Sequence, residues 1–244
     1  MIEQNNEWFK SWFDSDYYHI LYAHRDEKEA EVFLSNLIQK LKIKQGSSIL
    51  DLGCGRGRHA RLLNKMGFDV TGVDISIRNI EYCRKYEKSG LKFIEGDMRQ
   101  LPFRNEFDIV FLMFTSFGYF SEKENEGVIR NINLSLRSGG YFVLDYFNTG
   151  LLRVYPEEVV EKKLHGHHYS IKKFKVLHHI YKEISIDGRY TFCEKVRLYN
   201  YSELLNLLDQ NGFKIENVFG DYDLRTFEEE TSPRLIFVTS KVSL

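Results

Sequence analysis

The groups best placed for chemistry lie in the run Leu50-Asp51-Leu52-Gly53-Cys54-Gly55-Arg56-Gly57-Arg58. There an apolar stretch ends in a carboxylate, and three glycines at alternate positions precede a helical segment. Glycine is required where φ must be positive or where a Cβ would hold a ligand off the backbone, so this spacing marks a loop built around a nucleotide-type cofactor. The spacing also discriminates among such cofactors. A dinucleotide fingerprint reads G-x-G-x-x-G and sets a pyrophosphate on its helix N-terminus. Here the third glycine comes one residue early, at Gly57, and Arg58 stands where the last glycine would be. A phosphate-binding P-loop would end in Gly-Lys-Ser or Gly-Lys-Thr, which is absent.

Such a loop needs a sheet to hold it. From about residue 47 to 150, short apolar runs alternate with helical segments, the pattern of βαβ units and a parallel sheet, with strands expected at 48–52, 69–73, 91–95, 107–113 and 140–146. Ser76 can cap one helix, and Ser121-Glu122-Lys123-Glu124 forms a capping box before Val128, Ile129, Ile132 and Leu136, with Gly139-Gly140 expected to stop that helix. Ahead of the loop, Asp26 opens a helix with Ala30, Phe33, Leu34, Leu37, Ile38 and Leu41 on one face. After Gly150 the pattern turns β-rich, with runs at 169–171, 174–176, 180–186 and 190–198 and a hairpin signal at Asp187-Gly188. Ser202 is expected to cap a helix that Gly212 ends, before strands near 213–220 and 234–241. The return to helix and strand divides the chain into residues 1–150, a cap plus the cofactor-binding half; 151–199, a β-rich insertion over the site; and 200–244, which complete the first unit.

Composition bounds the function. A chain of 244 residues accommodates one core with an elaborated insert. Its 15% aromatic content, 19 Phe and 15 Tyr, must line either that core or a pocket. A net charge of −1 gives no general attraction to nucleic acid or membranes. Cys54, Cys83 and Cys193 are too widely spaced for a metal or redox pair and suit a reducing compartment. The polar N-terminus and the lack of an apolar run near the ~18 residues of a membrane span lead to the expectation of a soluble cytoplasmic protein, monomeric or homodimeric.

Together the loop and its neighbours resemble a class I S-adenosylmethionine-dependent methyltransferase of the small-molecule type, closely over residues 20–150 and in outline beyond. The family's first strand reads acidic-x-Gly-x-Gly-x-Gly, matched by Asp51, Gly53, Gly55 and Gly57, with Cys54 between them. Its second ends in an acidic residue for the ribose hydroxyls, matched by Asp74. Its third is followed by Gly-Asp-x, matched by Gly96-Asp97-Met98; Phe107-Asp108-Ile109-Val110 and Gly139 to Asp145 match the fourth and fifth. The resemblance implies a Rossmann-like α/β fold: seven strands, mostly parallel with the last antiparallel, helices on both faces, an N-terminal helical cap and the β-rich insertion after the fifth strand. It implies S-adenosyl-L-methionine as cofactor and S-adenosyl-L-homocysteine as product. Asp51 and carbonyls around Gly53 would receive the methionine ammonium, Asp97 the adenine amino group, Ile75 and Met98 the adenine faces, and Phe114 would sit near the cofactor. By the same similarity Tyr17, Tyr18 and Tyr22 would form a lid, and Arg25 would take the methionine carboxylate, with Arg58 competing for that role.

On the acceptor side the resemblance points to the loops after the fourth and fifth strands, giving Phe117, Tyr119, Tyr146 and Asn148 as substrate candidates. The fourth-strand loop lacks the Asn/Asp-Pro-Pro-Tyr/Phe signature of many enzymes that methylate exocyclic or amide nitrogens, and there is no Pro-Cys nucleophile for cytosine chemistry. No catalytic residue is assigned, because methyl transfer needs a base only when the acceptor must first lose a proton. The His-x-His-His run at 165–168 completes no ligand set with cysteines or carboxylates, so no metal is expected. The acceptor is expected to be a small molecule, methylated at O, N or C. Alternatives are an RNA methyltransferase using the lysine-rich insertion, and a non-catalytic protein that binds S-adenosylmethionine.

Overall fold

Apolar runs pair as their punctuation implies in the computed structural model, which describes residues 7–23, 27–152 and 155–242. Strands β1 (Ser48–Leu52), β2 (Asp69–Asp74), β3 (Leu91–Glu95), β4 (Phe107–Leu112), β5 (Leu136–Phe147), β10 (Phe213–Phe219) and β11 (Arg234–Lys241) form one sheet in the order β10-β11-β5-β4-β1-β2-β3. β11 runs antiparallel to both its neighbours, and the other pairings are parallel. The strand order reverses between β1 and β4, which opens a crevice at their carboxyl ends where open α/β sheets bind ligands.

Both faces are covered by helices whose apolar stripes match the 3.6-residue period. Phe33, Leu34 and Leu37 of α3 (Glu27–Leu41), Ala60 and Leu63 of α4 (Arg58–Lys65), and Ile80 and Cys83 of α5 (Ile77–Arg84) pack on one face. Val128, Ile129 and Ile132 of α6 (Glu122–Ser135) and Leu204 and Leu208 of α7 (Tyr201–Gln210) pack on the other. The Ser76 hydroxyl accepts from Asn79 N to cap α5, and Ser121 and Glu124 cap α6 reciprocally.

Three local expectations are corrected. Helix α6 ends at Ser135, and Gly139-Gly140 lie inside β5, where the register against β4 shifts between Phe107 and Ile109. Gly139 takes φ 71°, and a Cβ at Gly140 would sit 2.9 Å from the Arg137 carbonyl, so the glycines make a bulge instead of a helix stop. Helix α7 is capped by Asn200 in a box with Glu203; Ser202 already lies within the helix. The two short runs at 169–176 are one strand, and an additional strand precedes it.

The insertion is an antiparallel meander of β6 (Glu158–Leu164), β7 (His167–Val176), β8 (His179–Ile186) and β9 (Tyr190–Arg197). Asp187 and Gly188 both take positive φ at its last turn. Its Tyr169, Ile171, Ile184 and Ile186 pack with Trp8, Phe9 and Trp12 of α1 (Trp8–Phe13) and Leu21 of α2 (Asp16–Leu21). This third cluster sets the N-terminal helices and the small sheet over the crevice.

Candidate active site

The loop after β1 is shaped by glycines that no other residue could replace without strain. Gly53, Gly55 and Gly57 take φ of 70°, 54° and 72°, and a Cβ at Gly57 would lie 2.7 Å from the Phe93 ring. Gly53 N and Cys54 N donate to Val73 O at 2.8 and 3.0 Å, and Gly55 N donates to Asp74 Oδ2 at 2.8 Å. Asp74 Oδ1 accepts from Ser76 N at 2.9 Å and Asn79 Nδ2 at 3.2 Å. Burial raises the Asp74 carboxyl above its ordinary value, against the pull of those backbone donors. Asp51 sits behind the loop, outside the cavity wall, with Oδ2 accepting from Ala60 N at 3.1 Å. Burial lifts its carboxyl to about 7, opposed by the Ala60 hydrogen bond.

A cavity of about 750 Å³ opens at the carboxyl ends of β1 to β4. Its wall brings together Gly53, Cys54, Gly55, Asp74, Ile75, Gly96, Asp97, Met98 and Phe114, together with Tyr18, Tyr22 and Tyr119. Asp97 is gripped by Arg99, whose Nε reaches both carboxylate oxygens at 3.1 and 3.0 Å. Phe114 and Thr115 follow β4 with φ of 53° and 61°, a strained pair of non-glycine residues at the cavity edge. Buried Asp145 over-determines that turn: its Oδ2 accepts from Phe114 N at 2.9 Å and its backbone oxygen accepts from Thr115 N at 3.0 Å. Arg234 Nε donates to Asp145 Oδ1 at 2.8 Å, and the guanidinium also reaches Thr115 Oγ1.

Besides Asp51, four sequence candidates among the described residues do not meet in this cavity. Tyr17 packs outside it against His167, Tyr190 and Phe192. Phe117 is core, stacked on Tyr199. Along β5 the faces alternate, so Phe147 reaches the cavity while buried Tyr146 points away and donates its hydroxyl to Arg197 O. Asn148 is buried too, its amide donating to Glu229 O at 2.7 Å and Ser232 O at 2.8 Å, which fastens a loop. Arg25 lies outside the described residues, whereas Arg58 is in the wall, over the Phe114 ring at 4.6 Å.

The sequence places the insertion over the site without showing which of its side chains enter it. Cross-strand pairing sets Ile180 beside Val196 and Lys182 beside Glu194, and all four face the cavity. Glu194 accepts from Trp12 Nε1 at 2.7 Å, Tyr22 OH at 2.7 Å and Lys182 Nζ at 2.8 Å, and Lys182 also donates to the Tyr22 hydroxyl. Burial works to raise the Glu194 carboxyl, but the Lys182 charge and these donors outweigh it and hold the group below the usual carboxylate range. His19 and His59 line the same space. Burial, joined by the Arg56 charge, pushes the His19 imidazole down to about 4, so it is neutral at pH 7.

Elsewhere on the insertion, basic side chains lie beside carboxylates. Lys172 meets Glu157 at 2.9 Å, Lys173 meets Glu158 at 3.1 Å, His167 meets Asp187 at 2.7 Å and His168 meets Glu161 at 3.1 Å. Among the described residues no three His, Cys, Asp or Glu side chains are grouped to hold a metal ion, and no helix is long and apolar enough to cross a membrane.

Residues 49–140 match the family model described as a methyltransferase domain. An uncharacterized protein of Methanocaldococcus jannaschii is 27% identical over 185 residues, which is 75% of this chain and 68% of the relative. A sterol 24-C-methyltransferase of Gibberella zeae is 36% identical over 113 residues, so the match spans 43% of this chain and only 29% of that enzyme. In fold the chain is similar to an S-adenosylmethionine-bound amino pentose methyltransferase of Micromonospora echinaspora, with a TM-score of 0.72, 17% identity, and coverage of 93% of this chain and 98% of the other.

Proposed function

Because the chain belongs to the class I S-adenosylmethionine-dependent methyltransferases, we propose that it transfers a methyl group from S-adenosylmethionine to a small-molecule acceptor, releasing S-adenosylhomocysteine. The observation that carries the acceptor class is a cavity of about 750 Å³ lined by the N-terminal helices and the insertion, a size ordinary for small-ligand sites.

The residues fit the cofactor. A Cβ at Gly55 would meet nothing within 4 Å, so this part of the loop leaves open space for a ligand, while Asp74 presents a buried carboxylate whose oxygens retain acceptor capacity. In this reading Asp74 takes the ribose diol, and the backbone of Gly53 to Gly55 receives the methionine end. Ile75, Gly96, Asp97 and Met98 surround the adenine, and Phe114 lies alongside. Asp51 acts through the loop it braces, Tyr18 and Tyr22 close the lid, and Arg58 or Arg25 takes the carboxylate.

When bound, the cofactor supplies an electrophilic methyl on a sulfonium, open to in-line displacement. The chain's part is alignment and the exclusion of water. The aromatic roof of Trp8, Phe9, Phe13 and Tyr119 desolvates the acceptor, and the braced Phe114–Thr115 turn fixes one wall. Two of the insertion's lysines, Lys172 and Lys173, are paired with glutamates, which lowers the free positive charge that sheet offers to RNA.

Calorimetry with S-adenosylhomocysteine tests the proposal. Binding is expected, and Asp74→Ala is expected to weaken it by about 10- to 100-fold, the loss of hydrogen bonds to a charged group. No binding by the wild type would overturn the function, and an unchanged affinity in the variant would overturn the ribose assignment.

A further inference from the structure

The wall of the cavity above the cofactor loop is aromatic and aliphatic, formed by Trp8, Phe9, Phe13, Phe120, Phe147 and Val196. Into it the insertion directs one ion pair, Lys182–Glu194, with side chains only 27% and 14% exposed. An ion pair in such a place is a poor stabiliser: desolvation offsets the attraction, and apolar residues of similar volume generally do as well or better. The flanking positions on the same face, Ile180 and Val196, are apolar. The pair therefore calls for a reason other than stability.

The donors are unevenly used. Glu194 is supplied by Trp12, Tyr22 and Lys182, two of them neutral, so its charge is shared among three partners. An ammonium has three N–H groups, and Lys182 directs one to Glu194 and one to the Tyr22 hydroxyl. Among the described residues no third acceptor meets it. A cation held rigid from two sides, with one donor left and set in an apolar cavity wall, is a recognition group for an oxygen.

We propose that Lys182 determines specificity in the acceptor subsite, and that the acceptor is a small, largely apolar molecule carrying a carboxylate or phenolate oxygen that takes this remaining N–H. The inference rests on the methyltransferase reading and adds the acceptor's chemical class. Glu194 and Tyr22 are positioning residues that fix the Lys182 ammonium, and the aromatic wall receives the acceptor's apolar body.

The test uses the full chain saturated with S-adenosylhomocysteine and three probes of one shape: phenylpropanoate, phenylpropanol and phenylpropylamine. Ligand-observed NMR titration is expected to rank the carboxylate about tenfold tighter than the alcohol, with the amine weakest, as for a charge-assisted hydrogen bond. Lys182→Met combined with Glu194→Gln, which leaves no buried charge unpaired, is expected to level the three probes while S-adenosylhomocysteine affinity persists. Lys182→Arg is expected to keep the carboxylate preference. An amine bound as tightly as the carboxylate by the wild type, or a preference that survives in the double variant, overturns the inference. A wild type that does not bind S-adenosylhomocysteine overturns the methyltransferase reading and this inference with it, whereas cofactor binding without carboxylate preference overturns this inference alone.

Discussion

Asp51 and Asp74 stand at the ends of adjacent strands, and both carboxylates are buried, yet they are held differently. Asp74 has three donors around it, while Asp51 has the Ala60 amide. Burial consequently raises Asp51 from 3.8 to about 7. A folded-state value above the unfolded one means that the native state holds the proton more tightly. The associated stability is fully present below about 3.8 and is lost as pH rises through about 7. Asp51 is expected to contribute a fall in unfolding free energy across that window, opposed between about 4 and 6.5 by the depressed His19 imidazole. Asp51→Asn keeps an oxygen to accept from Ala60 N and removes the charge, so denaturant melts of the variant should lose that contribution and keep the one due to Asp74, whose carboxyl burial also raises. A variant whose pH slope matches the wild type would show that Asp51 does not titrate there.

At the scale of elements, α1 and α2 have six residues each, far below the length at which a helix holds itself together. What keeps them over the cavity is packing of Trp12 and a set of tethers. Asp14 Oδ1 accepts from Ser76 Oγ at 2.7 Å and from Arg78 N at 3.1 Å, and Glu194 receives Trp12 and Tyr22. Glu194→Ala would leave those donors and Lys182 without a carboxylate and is expected to cost about 3 kcal/mol. Amide exchange over residues 8–22 should speed up in the variant; exchange unchanged there would show that packing alone holds the lid. The glycine loop and Asp74 were legible in the sequence because their constraints are local: a positive φ or a strand-end carboxylate leaves its mark within a few residues. Glu194 and Lys182 were not, since alternation announces a strand without saying which face meets a helix 182 residues earlier. The same limit hid β6, whose Glu-Val-Val-Glu-Lys-Lys-Leu lacks alternation because it is a largely exposed edge, and misdirected Tyr146 and Asn148, placed by the pleat of β5.

For the whole molecule, the question is whether the insertion melts with the large sheet or apart from it. Arg197 at the end of β9 donates its backbone N–H to Gly118 O at 2.8 Å and pairs with Glu122 and Glu203 at the starts of α6 and α7. Thr149 Oγ1 donates to Tyr199 O at 3.2 Å. The cluster beneath the insertion also draws in Ile75, Tyr119 and Phe120 from the cofactor half. With contacts this distributed, residues 151–199 are proposed to unfold together with residues 1–150 and 200–244 in one transition. A ligand held between the loop and the roof would then stabilise both sheets equally. At a concentration a hundred times its dissociation constant, S-adenosylhomocysteine adds about 2.7 kcal/mol. For a chain of this size that is a rise in Tm of about 5 to 10 °C. Calorimetric scans should show one peak that moves as a whole. A second peak that ignores the ligand would mean that the insertion folds independently and that the roof closes over the cofactor only transiently.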